Sequence, residues 1–255
     1  MVATLVLRLQ LGQTGIYLHF VFETLAYFAG FAIYRWTRAK RSDHISTDYR
    51  WWIIAAAALG AAFGSRLLGV LEEAPGQLSI SDANIPSGKT IVGGLVGGWI
   101  AVEVIKLRLK INVSTGDLFA VPITVGIAIG RVGCLLAGLP DQTYGEPTAL
   151  PWGIDFGDGV FRHPTQLYEI VFLGILSCVL WRLLFSPHRN GQVFKLFMLS
   201  YASWRLLIDF LKPGSRLFGL SVIQWTCLCV LLYYFAQFIA VIRMHKPSSA
   251  DPQRL

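Results

Sequence analysis

Arg131 closes the apolar run Leu118-Phe-Ala-Val-Pro-Ile-Thr-Val-Gly-Ile-Ala-Ile-Gly-Arg131 and opens another, Val132-Gly-Cys-Leu-Leu-Ala-Gly138. A guanidinium stays charged at any working pH, so in an apolar run it needs an anionic or hydrogen-bonding partner. A polar loop follows and returns through His163-Pro-Thr-Gln-Leu-Tyr-Glu169 into the next apolar run. A membrane-embedded cation beside such a loop is a place for an anionic ligand such as a lipid phosphate.

Glu23, Arg66, Glu169, Arg205 and Asp209 also lie in or beside apolar runs. Charges so placed usually face the protein interior and pair with one another. Arg205 and Asp209 are spaced i,i+4 and project from one helical face, which predicts an ion pair. Its functional version puts Arg205 on the ligand and leaves Asp209 to hold its orientation. His19 and Glu23 share the same spacing, and a carboxylate in apolar surroundings is a candidate proton acceptor. The simpler expectation is that Glu23 pairs with Arg66 or Arg131. Glu103 is expected to pair with Lys106 or Arg108. His163, just before a proline, is a candidate for catalysis or for a turn ahead of Thr165.

These groups need elements to hold them. Of the 255 residues, 54% are hydrophobic and only 15% charged, with a mean hydropathy of +0.55. A soluble domain would carry about 25% charged residues, so the surplus apolar surface calls for lipid. Seven runs approach the roughly 20 residues that cross a hydrocarbon core: Tyr17–Trp36, Trp51–Leu71, Ile91–Leu109, Leu118–Leu136, Gln166–Phe185, Val193–Leu211 and Val222–Ile242. The expected fold is all-α, a polytopic membrane protein of seven transmembrane helices.

Basic residues set the orientation. Arg35, Arg38, Lys40, Arg41 and Arg50 fill the first connection, and Lys106, Arg108 and Lys110 the third. Arg182, Arg189 and Lys195 fill the fifth, and Arg243, Lys246 and Arg254 the tail. The alternate connections carry acid: Glu72, Glu73 and Asp82, then Asp141, Glu146, Asp155 and Asp158. The N-terminus is therefore expected outside and the C-terminus in the cytoplasm. The net charge of +7 reads as an orientation signal and not as a nucleic-acid footprint. The first sixteen residues, with Arg8, read as an outer-surface flank and not a removable signal peptide.

One membrane domain over residues 1–245 and a disordered cytoplasmic tail over 246–255 complete the expected layout. The long connection from Leu139 to Thr165, rich in Gly, Pro and Asp, suits an ordered, turn-filled excursion. Gly60 and Gly64, Gly93-Gly94 and Gly97-Gly98, and Gly126 and Gly130 have the spacing that lets helix backbones approach closely in lipid. The alternative for Gly93 and Gly94 is room for a bound ligand. No repeat of the third and fourth spans is apparent, which counts against a repeat-built transporter. Cys134, Cys178, Cys227 and Cys229 fall in the spans without metal-ligand spacing, and His19, His44, His163, His188 and His245 are scattered. No metal site and no cofactor are expected.

Taken together, these residues resemble the bacterial prolipoprotein diacylglyceryl transferases along most of the chain. Gly130-Arg-Val-Gly133 is similar to the opening of the family signature. Pro147-Thr-x-Leu-Pro-Trp152 and Arg162-His-Pro-Thr-Gln-Leu-Tyr-Glu169 are similar to its later parts. Ser65-Arg-Leu67, Gly93-Gly-Leu-x-Gly97, Arg205-x-x-x-Asp209-Phe-x-Lys212, Gly219-Leu-Ser and Gln224 extend the resemblance. It implies a seven-helix enzyme of the bacterial inner membrane. Such an enzyme moves a diacylglyceryl group from phosphatidylglycerol to the thiol of a lipoprotein signal cysteine and releases glycerol phosphate. Cations must stabilise the departing phosphate and something must deprotonate the thiol.

The resemblance matches Arg131 and Arg205 to the family's two essential arginines. Arg205, Glu23 and His163 become the candidates for catalysis. Arg131, Gly93, Gly94, Asp209, Gln166, Tyr168 and Glu169 become candidates for binding phosphatidylglycerol or a related anionic lipid. A prolipoprotein signal peptide is the implied second partner. This chain departs from the family at Val92, where a histidine precedes the Gly-Gly pair, at Cys134 in place of an asparagine, and at Leu139 in place of a glutamate. By nearest alignment Glu23 replaces a tyrosine on the first span. Glu23, His19 or His163 are the substitutes for the lost base, and Lys89 brings another charge near the glycine motif. Two rivals stand beside the transferase: a non-catalytic lipid-binding paralogue, and a transporter lined by Glu23, Arg131 and Asp209.

Overall fold

Seven helices order the described residues. In the computed structural model, which describes residues 12–41, 43, 45–73 and 88–244, these are α1 (Gly12–Lys40), α2 (Thr47–Glu73), α3 (Ile91–Leu109), α4 (Asp117–Ala137), α5 (Thr165–Leu184), α6 (Gln192–Ile208) and α7 (Val222–Met244). The readings placed on Arg8, His44, Asp82, His245 and the tail from Lys246 fall outside the described residues. The helices Thr47–Glu72, Asp117–Ala137 and Thr165–Leu184 are long and apolar enough to cross a membrane by length and composition.

Every apolar run expected to span coincides with a helix, with one correction. The sixth run extends to Leu211, but α6 ends at Ile208 and Asp209–Leu211 forms a tighter 3-10 turn. Lys212 then turns extended ahead of Pro213, because a proline disfavours helix at the residue before it.

Helix α2 packs along α3, and α1 along α4; α4 also meets α5 and α6, and α7 leans on α6. The α2–α3 contact is made by glycines. A Cβ on Gly64 would run into the Gly93 carbonyl oxygen, and one on Gly97 would lie 2.9 Å from Gly64 Cα. Small residues are what allow such an approach where the hydrophobic effect supplies no drive between helices. The buried apolar core runs through α3 to α7, with Val92, Leu173, Leu180, Phe197, Tyr201 and Cys227 at its centre.

The connection between α1 and α2 is clamped by charge. Arg50 donates to Asp43 at 2.7 and 2.8 Å, and to the Thr115 carbonyl at 3.1 Å, while Arg38 meets the same carboxylate at 2.9 Å. Burial pushes the Asp43 carboxyl up, but the Arg50 and Arg38 guanidiniums and the Ile45 amide outweigh it and hold it below its ordinary value. Between α4 and α5 the chain forms the 3-10 turn Leu139–Asp141 and a small antiparallel pair, β1 (Ile154–Asp155) and β2 (Phe161–Arg162). This is the ordered excursion the sequence predicts.

Candidate active site

The three helices that meet at the excursion each contribute a charge. Arg131 lies six residues before the end of α4, Glu169 in the first turns of α5, and Arg205 in the last turn of α6. All three are buried. Arg131 Nε is 2.8 Å from Glu169 Oε2, and Arg205 Nη1 is 3.6 Å from the same oxygen. Glu169 Oε1 accepts the Tyr201 hydroxyl at 2.7 Å. Arg205 Nη2 also donates to Asp209 Oδ1 at 3.0 Å, the i,i+4 pair its spacing predicts. Asp209 Oδ2 in turn accepts the Ser221 hydroxyl, and Gln224 locks that turn by accepting Ser221 N–H at 2.9 Å.

One carboxylate thus serves two guanidiniums. Breaking a buried pair of this kind by removing one partner costs about 3–5 kcal/mol. The cluster is a charged wall in which the two guanidiniums are matched by the Glu169 and Asp209 carboxylates, and Glu169 is held from three sides by Arg131, Arg205 and Tyr201.

The wall faces a cavity of about 940 Å³. Its polar end carries Arg131, Arg205, Asp209, Lys212, His19 and Asp141, while Phe31, Tyr34, Phe119, Pro122, Ile123 and Ile127 line an apolar reach between α1 and α4. A charged end continuous with an apolar reach matches a molecule with an anionic head and a hydrocarbon body.

The HPTQLYE string sets the start of α5. Thr165 Oγ1 donates to the Thr143 carbonyl at 2.7 Å, and Gln166 Nε2 to Thr143 Oγ1 at 3.1 Å. These bonds tie the excursion to the helix and place Glu169 one turn further on. Gln166 is therefore a fully buried tether. Tyr168 accepts from Trp152 Nε1 at 2.8 Å and lies 3.3 Å from His163 Nδ1. Neither Tyr168 nor His163 lines the cavity. The His163 backbone instead bridges to Gly145 and Glu146, and Pro164 is the α5 N-cap.

Three expectations need correction. Glu23 lines the cavity, but the ion-pair partner of Arg131 is Glu169, and Glu23 has no ion pair among the described residues. Arg66 is exposed and does not face the interior. The space suggested by Gly93 and Gly94 is filled by α2: Gly93 abuts the Gly64 carbonyl and Leu68, and a Cβ on Gly94 would lie 3.6 Å from the Ala61 carbonyl. Glu103 does pair with Lys106, at 2.9 Å.

Other groups gain meaning only in the fold. Tyr201 holds Glu169. Lys212 enters the cavity, where burial and then the neighbouring Arg205 and Arg131 guanidiniums push its ammonium down to about 7. His19 of α1, Cys134 of α4 and Asp141 of the 3-10 turn each bring one donor atom within 4.8 Å of the others. All four cysteines are free.

Residues 7–240 match the family model described as prolipoprotein diacylglyceryl transferase. A protein of Cupriavidus metallidurans named phosphatidylglycerol–prolipoprotein diacylglyceryl transferase is 31% identical over 229 residues, covering 82% of this chain and 84% of that protein. Proteins of the same name from Bordetella bronchiseptica and Polynucleobacter asymbioticus are 32% and 34% identical, each over 71% of this chain and 73% of their own.

Proposed function

This chain belongs to the prolipoprotein diacylglyceryl transferase family, and we propose that it moves a diacylglyceryl group from phosphatidylglycerol to the thiol of a prolipoprotein cysteine. The observation that carries the reading is the pair of buried arginines sharing Glu169 at the polar end of a cavity that continues into an apolar reach. In the reaction the acceptor sulfur attacks the glyceryl carbon bound to the phosphate oxygen. The new C–S bond forms as the C–O bond breaks, and glycerol phosphate leaves with the bonding electrons. Arg131 and Arg205 stabilise the negative charge that builds on the leaving phosphate, and Lys212 adds a third cation when protonated. Donors already fixed before the reaction are worth most, since none must reorganise as charge develops. Glu169, Tyr201 and Asp209 hold those donors in place.

All seven helices span the bacterial cytoplasmic membrane in this reading, with the N-terminus outside and the C-terminus in the cytoplasm, forming one domain over residues 1–245. The basic first, third and fifth connections support that orientation. The cavity's charged end then lies toward the outer side, where the excursion is. Phosphatidylglycerol enters with its chains along the apolar reach, and the signal peptide presents its cysteine to the charged end.

One observation favours a second reading, a lipid-binding paralogue without turnover. Val92, which stands where the family has histidine, is buried in the apolar core beside Leu95, Met198 and Tyr201. Rescue of a strain depleted of its own transferase separates the two. Rescue that depends on Arg131 supports the transferase, and retention of phosphatidylglycerol without rescue supports the paralogue.

A further inference from the structure

His19, Cys134 and Asp141 come from three elements, and the chain is shaped to bring them together. Gly133 lets α1 approach α4: a Cβ there would lie 2.9 Å from Phe22 Cβ and 3.1 Å from His19 Cα. Gly138, at φ +68°, then turns the chain sharply. The Leu139–Asp141 turn folds back over the end of α4, with Asp141 N–H donating to the Gly138 carbonyl at 3.2 Å. An imidazole, a thiol and a carboxylate thus converge at the charged end of the cavity, all within 4.8 Å of one another.

The arrangement has the features of a metal site. His19 Nδ1 and Asp141 Oδ1 are 3.5 Å apart, close to the edge of a tetrahedron whose bonds to nitrogen and oxygen are about 2.1 Å. His19 Nδ1 is buried and makes no hydrogen bond; the atom it faces is the Asp141 carboxylate oxygen. The other oxygen of Asp141 accepts the Thr143 hydroxyl, and Thr143 in turn accepts from Gln166. Such outer bonds orient a ligating carboxylate. A thiolate and a carboxylate together neutralise a dication, and Arg131, 3.8 Å from Cys134 Sγ, is already balanced by Glu169.

We propose that His19, Cys134 and Asp141 bind one divalent transition metal of the zinc class, and that the acceptor thiol occupies its fourth position as a thiolate. Three protein ligands with an open fourth place is the catalytic form of a zinc site. A thiol that coordinates such an ion loses its proton, which supplies the deprotonation that the absent histidine would otherwise provide. The proton passes to Glu23, one turn of α1 beyond His19 and lining the same cavity. The bound thiolate then attacks the glyceryl carbon, and the phosphate leaves against Arg131 and Arg205. The role in the reaction rests on the transferase reading; the metal site itself does not.

The test is Co²⁺ titration of the full chain in detergent, with the thiolate-to-cobalt absorption in the near ultraviolet as readout. The expected result is saturation near one equivalent, loss of the band in Cys134→Ser, and affinity lowered at least about tenfold in His19→Ala and Asp141→Asn. Glu23→Gln should bind cobalt as the parent does. Absence of the band in the parent, or its persistence in a Cys134→Ser chain that still retains phosphatidylglycerol, overturns the proposal. Transfer from phosphatidylglycerol that is unaffected by chelation and by Cys134→Ser sinks the metal's role and leaves the transferase standing. Stoichiometric cobalt binding in a chain with no transfer leaves the site and sinks the transferase.

Discussion

Arg131 and Glu169 face each other across the α4–α5 contact at 2.8 Å, and both are buried. The carboxylate that holds the arginine therefore comes from the far side of a long connection and not from its own helix. That pairing makes the two residues inseparable in stability but separable in function. Glu169→Gln leaves Arg131 buried without its counter-charge and should destabilise the protein by about 3–5 kcal/mol. The double change Arg131→Met with Glu169→Met should recover much of that loss while leaving transfer absent. Thermal unfolding in detergent, measured beside activity, checks both halves.

Lys212 gives the site a pH dependence with a definite sign. With its ammonium pushed down to about 7, the free cavity loses a positive charge as pH rises through neutrality. A phosphate diester favours the charged form, so affinity for phosphatidylglycerol should fall above pH 7. Lys212→Arg should flatten this decline, because a guanidinium stays charged. Lipid-binding titrations from pH 6 to 9 on both forms give the answer, and an identical decline in the two would refute the assignment.

His163 and Glu23 should behave oppositely. His163 faces Tyr168 outside the cavity, so His163→Ala should leave the transfer rate close to that of the parent. Glu23 lines the cavity, and Glu23→Gln should slow transfer on the order of a hundredfold, the lower range for a lost proton acceptor. Steady-state rates at matched lipid concentration distinguish them.

The α2–α3 glycines predict a stability effect without a specific chemical one. Gly64→Ala meets the Gly93 carbonyl, whereas a Cβ on Gly174 meets nothing within 4 Å. Gly64→Ala should lower stability by about 1–3 kcal/mol, and Gly174→Ala should be tolerated. Unfolding midpoints of the two variants measure the contrast.

The seven apolar runs were readable because hydrophobic length alone marks them, and Arg205–Asp209 because both partners lie on one helical face. Arg131–Glu169 was not, since a sequence does not say which span lies beside which. Gly93 and Gly94 were ambiguous for a physical reason: a missing side chain leaves space that a ligand or a neighbouring helix can fill. His19, Cys134 and Asp141 had no signal, because no local spacing relates residues that meet only through the α1–α4 contact and the turn at Gly138. Lys212 matched a family position, but its depressed ammonium depends on two arginines brought from other places in the chain. The apolar Phe210 and Leu211 carry the sixth run past the end of α6, because hydropathy does not register that Pro213 stops the helix earlier.

The most direct measurement uses the purified chain in vesicles containing phosphatidylglycerol, with a peptide bearing a prolipoprotein signal sequence and one cysteine. The predicted result is a mass gain on that cysteine equal to one diacylglyceryl group, with glycerol phosphate released in equal amount and both lost in Arg131→Ala. Retention of phosphatidylglycerol with an unmodified peptide and no glycerol phosphate would contradict the transferase reading.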